Sequence, residues 1–445
     1  LNFLEKNKSR FLVVLIAICY IVLAYFFNRK DFEILLGIFS VAFLSTYFLM
    51  NDKKLNAGYF FKIGLIFRII FLFSTPFLSQ DFYRFIWDGN LTLLGISPYE
   101  LTPNELINTL ETLPNDIILH EKMGILSASN YSNYPPINQL FFFIASFFGN
   151  KSILFSIIIL RIFIILADVC IYFLGKKILV ALGQNPNKIF WYFLNPLVIL
   201  ELTANLHFEG VMLFFIIGSL YLLHQNKWQL SAIIMALSIS TKLLPLFLLP
   251  LFFQRLNFKK SFLYYSIVLV LNFLFFLPFI TPKLINNYIK TIGLWFTNFE
   301  FNASIYYLIR EVGFWIKGYN IIQTTGKLIP ILIIIFIIYR SFISCLKTTQ
   351  SLFLGILVVF SVYFFTATTV HPWYIINLVL IAVFTKYKFP FVWSFVVILS
   401  YSAYSDIIFK EKYCLIFLEY LVVFGFLIWE MYFKVQKNLD FYKQK

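Results

Sequence analysis

Apolar residues run along this chain in blocks of about twenty, the length an α-helix needs to cross a bilayer, and short polar joints separate the blocks. Phe11 to Phe27 and Glu33 to Met50 are the first two, and Tyr59 to Leu78 is the third. The run from Asn138 to Phe148 is too short to cross and reads as interfacial or re-entrant. Further blocks follow at Ile153 to Leu174, Ile189 to Leu202, Val211 to Leu223 and Phe262 to Phe279. The last five are Leu328 to Phe342, Leu352 to Thr369, Trp373 to Phe384, Pro390 to Tyr404 and Leu415 to Phe433. The pattern predicts an all-α polytopic membrane protein with about twelve to fourteen membrane segments.

The joints orient the blocks. Lys6, Lys8 and Arg10 precede the first and Lys53 and Lys54 follow the second, so both flanks belong to the cytoplasmic side. Lys176, Lys177, Lys188, Lys347, Lys386, Lys388 and the tail lysines Lys434, Lys437, Lys443 and Lys445 mark the same side. No small-residue cleavage site follows the first block, which therefore reads as a span and not a signal peptide. Gln229 to Phe253 breaks the rhythm: it looks like one span, yet Lys227 before it and Arg255, Lys259 and Lys260 after it would all lie inside. An even number of crossings removes the conflict. The sequence predicts a re-entrant hairpin whose tip, Thr241 to Pro245, reaches the outer half, with Pro245 freeing backbone groups that a lined cavity must satisfy. The competing single helix, with Lys242 snorkelling, leaves the conflict standing.

Two long joints, 79–137 and 281–327, fall on the outer side. The first sets Asp81, Asp88, Glu100, Glu105, Glu111, Asp116 and Glu121 against only Arg84 and Lys122, as an exported face would. The second holds Lys283, Lys290, Arg310, Lys317 and Lys327, and long loops escape the charge rule. Loops of this length are commonly functional. The chain divides into an amino-terminal pair of spans (1–58), a membrane module carrying both outer loops (59–385), and carboxy-terminal spans with a basic tail (386–445).

Composition narrows the class. At 60% hydrophobic, 21% aromatic and 13% charged residues, with mean hydropathy +0.83, the chain is no soluble domain. Its formal charge of +15 gathers in the cytoplasmic joints and marks topology, so no nucleic-acid partner is expected. Cys19, Cys170, Cys345 and Cys414 sit in apolar runs without paired or metal-ligand spacing.

Candidate chemistry starts just after the third block. Asp81, Arg84 and Asp88 share one helical face, at i, i+3 and i+7. Either Arg84 neutralises two acids at a helix end, or these costly groups at a membrane boundary act on something. His207, Glu209, Lys242 and His371 fall on the same outer side from distant segments. A carboxylate base beside cations suits transfer of a group from an anionic leaving group to a hydroxyl. Aromatic walls suit a carrier lipid and sugar rings alike.

The stretches SQDFYRFIWDG, GISPY, YPPINQ, LNPLVILELTANLHFEG, STKLLPLFLLP, FNASIYYLIR and THPWY occur in that order from Ser79 to Tyr374. Together they resemble the polyprenyl-phosphate-mannose-dependent α-mannosyltransferases of the GT-C fold, the group that includes mycobacterial phosphatidylinositol mannoside elongation. The resemblance implies a multi-pass enzyme of the plasma membrane working on its extracytoplasmic side. It implies a polyprenyl-phosphate-linked sugar donor, a glycolipid or glycan acceptor, an inverting displacement and no cofactor. Asp81 takes the place of the family's first-loop catalytic aspartate and would be the general base, with Arg84 and Asp88 orienting it or the acceptor. Lys242 and His371 would lie near the donor phosphate, and Tyr134 of YPPINQ among the substrate-binding residues. His207 and Glu209 would either bind sugar hydroxyls or pair with each other; Asn302 would either bind the donor or cap a short loop helix. The first two spans read as an addition to the family's core. Some related transferases use a divalent metal, but two carboxylates with an arginine between them make a poor site, and metal independence is expected. The rival function is a transporter or lipid-carrier flippase, which would show internal repeats and midplane binding residues on broken helices; a same-fold transferase of another sugar is the other alternative.

Overall fold

Hydrophobic blocks of this kind can cross a bilayer only if every backbone group finds a partner inside the protein, which favours helices. The computed structural model describes residues 2–52, 55–107, 115–406 and 409–443, so Lys53, Lys54, Glu111 and Lys445 lie outside the described residues. Among the described residues every regular element is a helix, and the backbone pairs strand-wise only at Phe301 and Thr369. Among the described residues seven helical stretches are long and apolar enough to span: Asn7–Tyr25, Phe32–Met50, Ile153–Ala181, Leu244–Phe279 (broken by a kink at Asn257), Ile322–Ile343, Thr349–Thr366 and Tyr413–Phe433. An eighth would be the pair Pro196–Ala204 and Glu209–His224, bent by 113°, and four more apolar helices are shorter. The chain is a multi-pass, all-α membrane protein. The long spans are fewer than the twelve to fourteen segments expected, because several apolar blocks are broken. The third helix, Ala57–Ile70, stops well short of Leu78.

Buried polar side chains close those breaks. Arg161, with no exposure, projects from the middle of Ile153–Ala181 and donates to the carbonyls of Leu72 (2.9 Å), Ser74 (2.8 Å), Thr203 (2.7 Å) and Ala204 (3.1 Å). The Asn205 side chain accepts from the Leu78 N–H at 3.0 Å and donates to the Leu200 carbonyl at 3.0 Å. Two irregular segments, one leading into Asp81 and one into Glu209, are thereby fixed against each other.

The 229–253 stretch folds as two arms. A helix, Trp228–Ile239, leads to a break, and a tight helix, Leu244–Phe252, follows with Pro245 and Pro250 inside it. Arg255 donates to the Leu223 carbonyl at 3.0 Å, whereas Lys242 meets Glu209. Both feet therefore stand at the His224 end of Glu209–His224, and the tip stands at the Glu209 end. The chain returns to the end from which it left, as the flanking charges require.

The 79–137 segment wraps its own helix, Asp81–Leu93. This helix lies so close to Pro136–Gly149 that a Cβ on Gly89 would come 2.3 Å from the Phe142 carbonyl oxygen. The Ile137 N–H donates to the Ser240 carbonyl at 2.9 Å, docking YPPINQ on the hairpin tip. The 281–327 segment forms two helices, Leu284–Thr297 and Ile305–Lys317, with Phe301 bonded through its backbone to Thr368 (3.1 Å) and Val370 (2.8 Å).

Candidate active site

These junctions bring five expected residues from five segments around one cavity of about 460 Å³: Asp81, Tyr134, Glu209, Lys242 and His371. Leu244, Leu246, Phe247, Phe296 and Phe364 form an apolar flank of the same cavity.

Asp81 opens its helix, where the free N–H groups favour an acid, and its own N–H reaches the Ser79 hydroxyl at 3.3 Å. Burial raises the proton affinity of its carboxyl, the Lys242 ammonium opposes that rise, Glu209 adds to it and Arg29 opposes it again. Lys242 Nζ lies 2.5 Å from Glu209 Oε1, with the lysine side chain 22% exposed and Glu209 Oε2 lacking a protein partner. The His371 ring stacks on Trp373 at 4.2 Å and lies 4.9 Å from the Phe301 ring. Burial, then Lys242 and Arg29, push its imidazole down to about 3, so it is neutral, and its Nδ1 has no partner in the protein. The arrangement can take a proton at Asp81, hold an anion between Lys242 and His371, and seat a greasy chain on the apolar flank.

The other expected residues stand off this cavity. Arg84 bonds Asp88 at 2.7 Å, with the other end of its guanidinium on the carbonyls of Ser127 (2.6 Å) and Asn130 (2.9 Å). Asp88 is fully buried and accepts further from Ser132 (2.6 Å) and Gln139 (3.1 Å), so both its oxygens are taken. Arg84 therefore faces Asp88 and the loop. His207 and Glu209 do not pair with each other. His207 sits 3.5 Å from Glu201 and stacks behind Trp373 at 3.8 Å, while Glu209 holds Lys242. Asn302 does not cap a helix either, since Ser304 precedes Ile305–Lys317. Its backbone N–H donates to Glu411 (2.6 Å), its side chain to Glu419 (3.2 Å), and its carbonyl accepts from Tyr420 (2.6 Å). These bonds anchor the strand-like contact beside His371.

Arg29 was not expected. It comes from the joint between the first two spans, lines the cavity, and lies flat on Tyr404 at 3.6 Å, its Nε buried without a partner. A signal was present: Arg29 and Lys30 are cations on a joint placed outside, where the charge rule expects few. Among the described residues no three His, Cys, Asp or Glu side chains gather as a metal ion would require.

The model of the alpha-(1->6)-mannopyranosyltransferase N-terminal domain matches residues 14–256, more than half of the 445 residues. The matched stretch holds Arg29, Asp81, Glu209 and Lys242, whereas Asn302 and His371 lie beyond it. No curated protein matches the chain.

Proposed function

The chain belongs to the alpha-(1->6)-mannopyranosyltransferase family, and from that premise we propose a polyprenyl-phosphate mannose donor, a glycolipid or glycan acceptor, and Asp81 as general base on the extracytoplasmic side of the plasma membrane. That it is a membrane glycosyltransferase transferring mannose follows from the family; the rest is our reading. Its main support is the meeting of Asp81, Lys242 and His371 on one cavity with an apolar flank.

In this reading the acceptor hydroxyl, the primary hydroxyl at C6 of a mannopyranose, gives its proton to the Asp81 carboxylate. Its oxygen bonds to the donor's anomeric carbon from the face opposite the phosphate. The bond from that carbon to the phosphate oxygen breaks, its electron pair leaves with the polyprenyl phosphate, and the configuration inverts. Lys242 and Arg29 stabilise the charge growing on the leaving phosphate, and neutral His371 serves through a hydrogen bond and not as a cation. Glu209 steers Lys242, and its engagement there supports a single displacement without a second nucleophilic carboxylate. Tyr134 contacts substrate between donor and acceptor. Arg84, Asp88, His207 and Asn302 hold the walls: Arg84 and Asp88 through the first-loop clamp, His207 through Trp373, Asn302 through the Phe301–His371 contact. Arg29 from 1–58 and Tyr404 from 386–445 line the cavity of the 59–385 module, and we take all three stretches as one catalytic unit.

The test is incubation of purified protein with radiolabelled polyprenyl-phosphate mannose and a membrane lipid extract. We expect label in a mannosylated product, retained when EDTA is added. Incorporation from a nucleotide sugar with no lipid carrier present would overturn the donor assignment.

A further inference from the structure

Asp81 stands where two cavities meet. The second, of about 130 Å³, shares six lining residues with the first, Asp81, Tyr134 and Trp295 among them, and adds Arg84, Asn130 and Thr291 together with the apolar Met123 and Leu294. The two differ in lining. The first has the apolar flank; the second is walled largely by the polar loop 127–134 and the inner face of Leu284–Thr297.

Three residues on the second cavity carry buried polar atoms with no partner in the protein: Arg84 Nη2, Thr291 Oγ1 and Trp295 Nε1. Buried donors are almost always satisfied, so three around one small pocket call for a ligand rich in acceptor oxygens. Arg84 cannot turn away to satisfy itself. Its Nε is held by Asp88 and its Nη1 by the carbonyls of Ser127 and Asn130.

Charge decides the ligand's class. The Arg84 cation is already balanced by Asp88 at 2.7 Å, and Asp81 adds a negative group when ionised. A phosphate would meet no uncompensated cation there. A neutral polyol would meet three donors and one base.

We propose that this cavity is the acceptor subsite and takes one pyranose ring. The sugar's oxygens accept from Arg84, Thr291 and Trp295, and its C6 hydroxyl is presented to Asp81. The assignment rests on Asp81 being the base of the transfer, and it makes the acceptor a sugar and not a protein hydroxyl.

Two variants test it: Thr291→Val deletes one donor with little change of volume, and Trp295→Phe deletes the indole N–H together with one ring. Octyl α-mannopyranoside serves as acceptor probe, both in transfer from radiolabelled polyprenyl-phosphate mannose and in equilibrium dialysis of radiolabelled probe without donor. Each variant should raise the acceptor KM and the dialysis Kd roughly tenfold, the size of one lost buried hydrogen bond, and in Thr291→Val, at a residue that lines the second cavity and not the first, the donor KM stays put. Inorganic phosphate should not displace the probe. Unchanged acceptor affinity in both variants, a shift in donor KM alone, or displacement by phosphate would each overturn the subsite. Dialysis keeps the outcomes separate: if wild-type protein transfers nothing but the variants weaken probe binding, the reaction reading fails and the pocket stands.

Discussion

Two buried cation–carboxylate pairs in this protein share their chemistry and differ in everything else. Arg68 and Asp168 meet at 2.8 Å with both side chains at 0% exposure. The arginine also donates to the carbonyls of Gly64 (3.0 Å) and Phe193 (2.8 Å), and Tyr192 donates to the second oxygen of Asp168 at 2.7 Å. Lys242 and Glu209 meet at 2.5 Å, but the lysine opens on the cavity and one glutamate oxygen has no partner. Position marks the pair that builds: Arg68 joins three segments, and although its Nη2 has no partner, neither it nor Asp168 lines either cavity. An unpartnered atom beside a cavity marks the pair available to a ligand. The same contrast separates Arg84, with one donor free beside a pocket, from Asp88, with none of its oxygens free.

The largest expected effect lies outside both pairs, at Asp81, which shares the cavity with Lys242 and Glu209. Asp81→Asn keeps the shape and removes the proposed base, and should lower transfer by about 10²–10⁴-fold, the usual contribution of a general base, while donor binding persists. Near-normal transfer by this variant would leave the Lys242–Glu209 pair nothing to serve.

The next two substitutions set the pairs against each other. Arg68→Met leaves Asp168 buried without its cation and should cost roughly 3–5 kcal/mol of stability, read as a large fall in the melting temperature of the detergent-solubilised protein. Lys242→Met should instead lower kcat/KM by about a hundredfold, the size of one lost electrostatic stabiliser of a transition state, with a much smaller fall in melting temperature. The distinction between building and working pairs breaks if the two variants melt alike.

The members of the Lys242–Glu209 pair, though not their pairing, could be read along the chain, and the Arg68–Asp168 pair was not, and the reason is physical. Lys242 betrayed itself through a conflict of flanking charges, and Glu209, His371 and Asp81 through positions at the ends of apolar blocks, where topology gathers them. Arg68 and Asp168 are 100 residues apart, and nothing local in either block tells which distant partner neutralises it. Single ionisable residues inside apolar runs were nonetheless a usable warning, since they are expensive in a membrane, and Arg68, Arg161 and Asp168 all qualify. Block length misled for a related reason. Hydropathy counts side chains, whereas the Tyr59–Leu78 block ends its helix at Ile70 because Arg161, from another helix, can satisfy the carbonyls of Leu72 and Ser74.

Arg29 extends the comparison to a cation that has neither a carboxylate nor a full set of donors engaged. Stacked on Tyr404 at 3.6 Å, with its Nε unpartnered, it lines the cavity as Lys242 does and Arg68 does not. Arg29→Gln should raise the donor KM roughly tenfold, as loss of one charge-assisted contact to a phosphate would, and leave the acceptor KM unchanged. A collapse of stability with no change in donor KM would move Arg29 to the building class.

The finest test uses pH, because Asp81 reports on the cations around it. With Asp81 as the proposed base, transfer needs the ionised carboxylate, and burial raises its pKa above the ordinary aspartate value of about 3.9. The acid limb of kcat/KM should therefore lie above that value, with activity lost as pH falls through it. Lys242 is the largest influence pulling the carboxyl back down, so in Lys242→Met the limb moves to higher pH. Glu209 pushes it up, so in Glu209→Gln the limb moves to lower pH even though the same ion pair has been broken. Arg29→Gln moves it up by less than Lys242→Met, since Arg29 acts more weakly on Asp81. Opposite displacements from the two halves of one ion pair are what a purely structural pair could not produce, and displacement in the same direction would sink the claim that the pair works on Asp81.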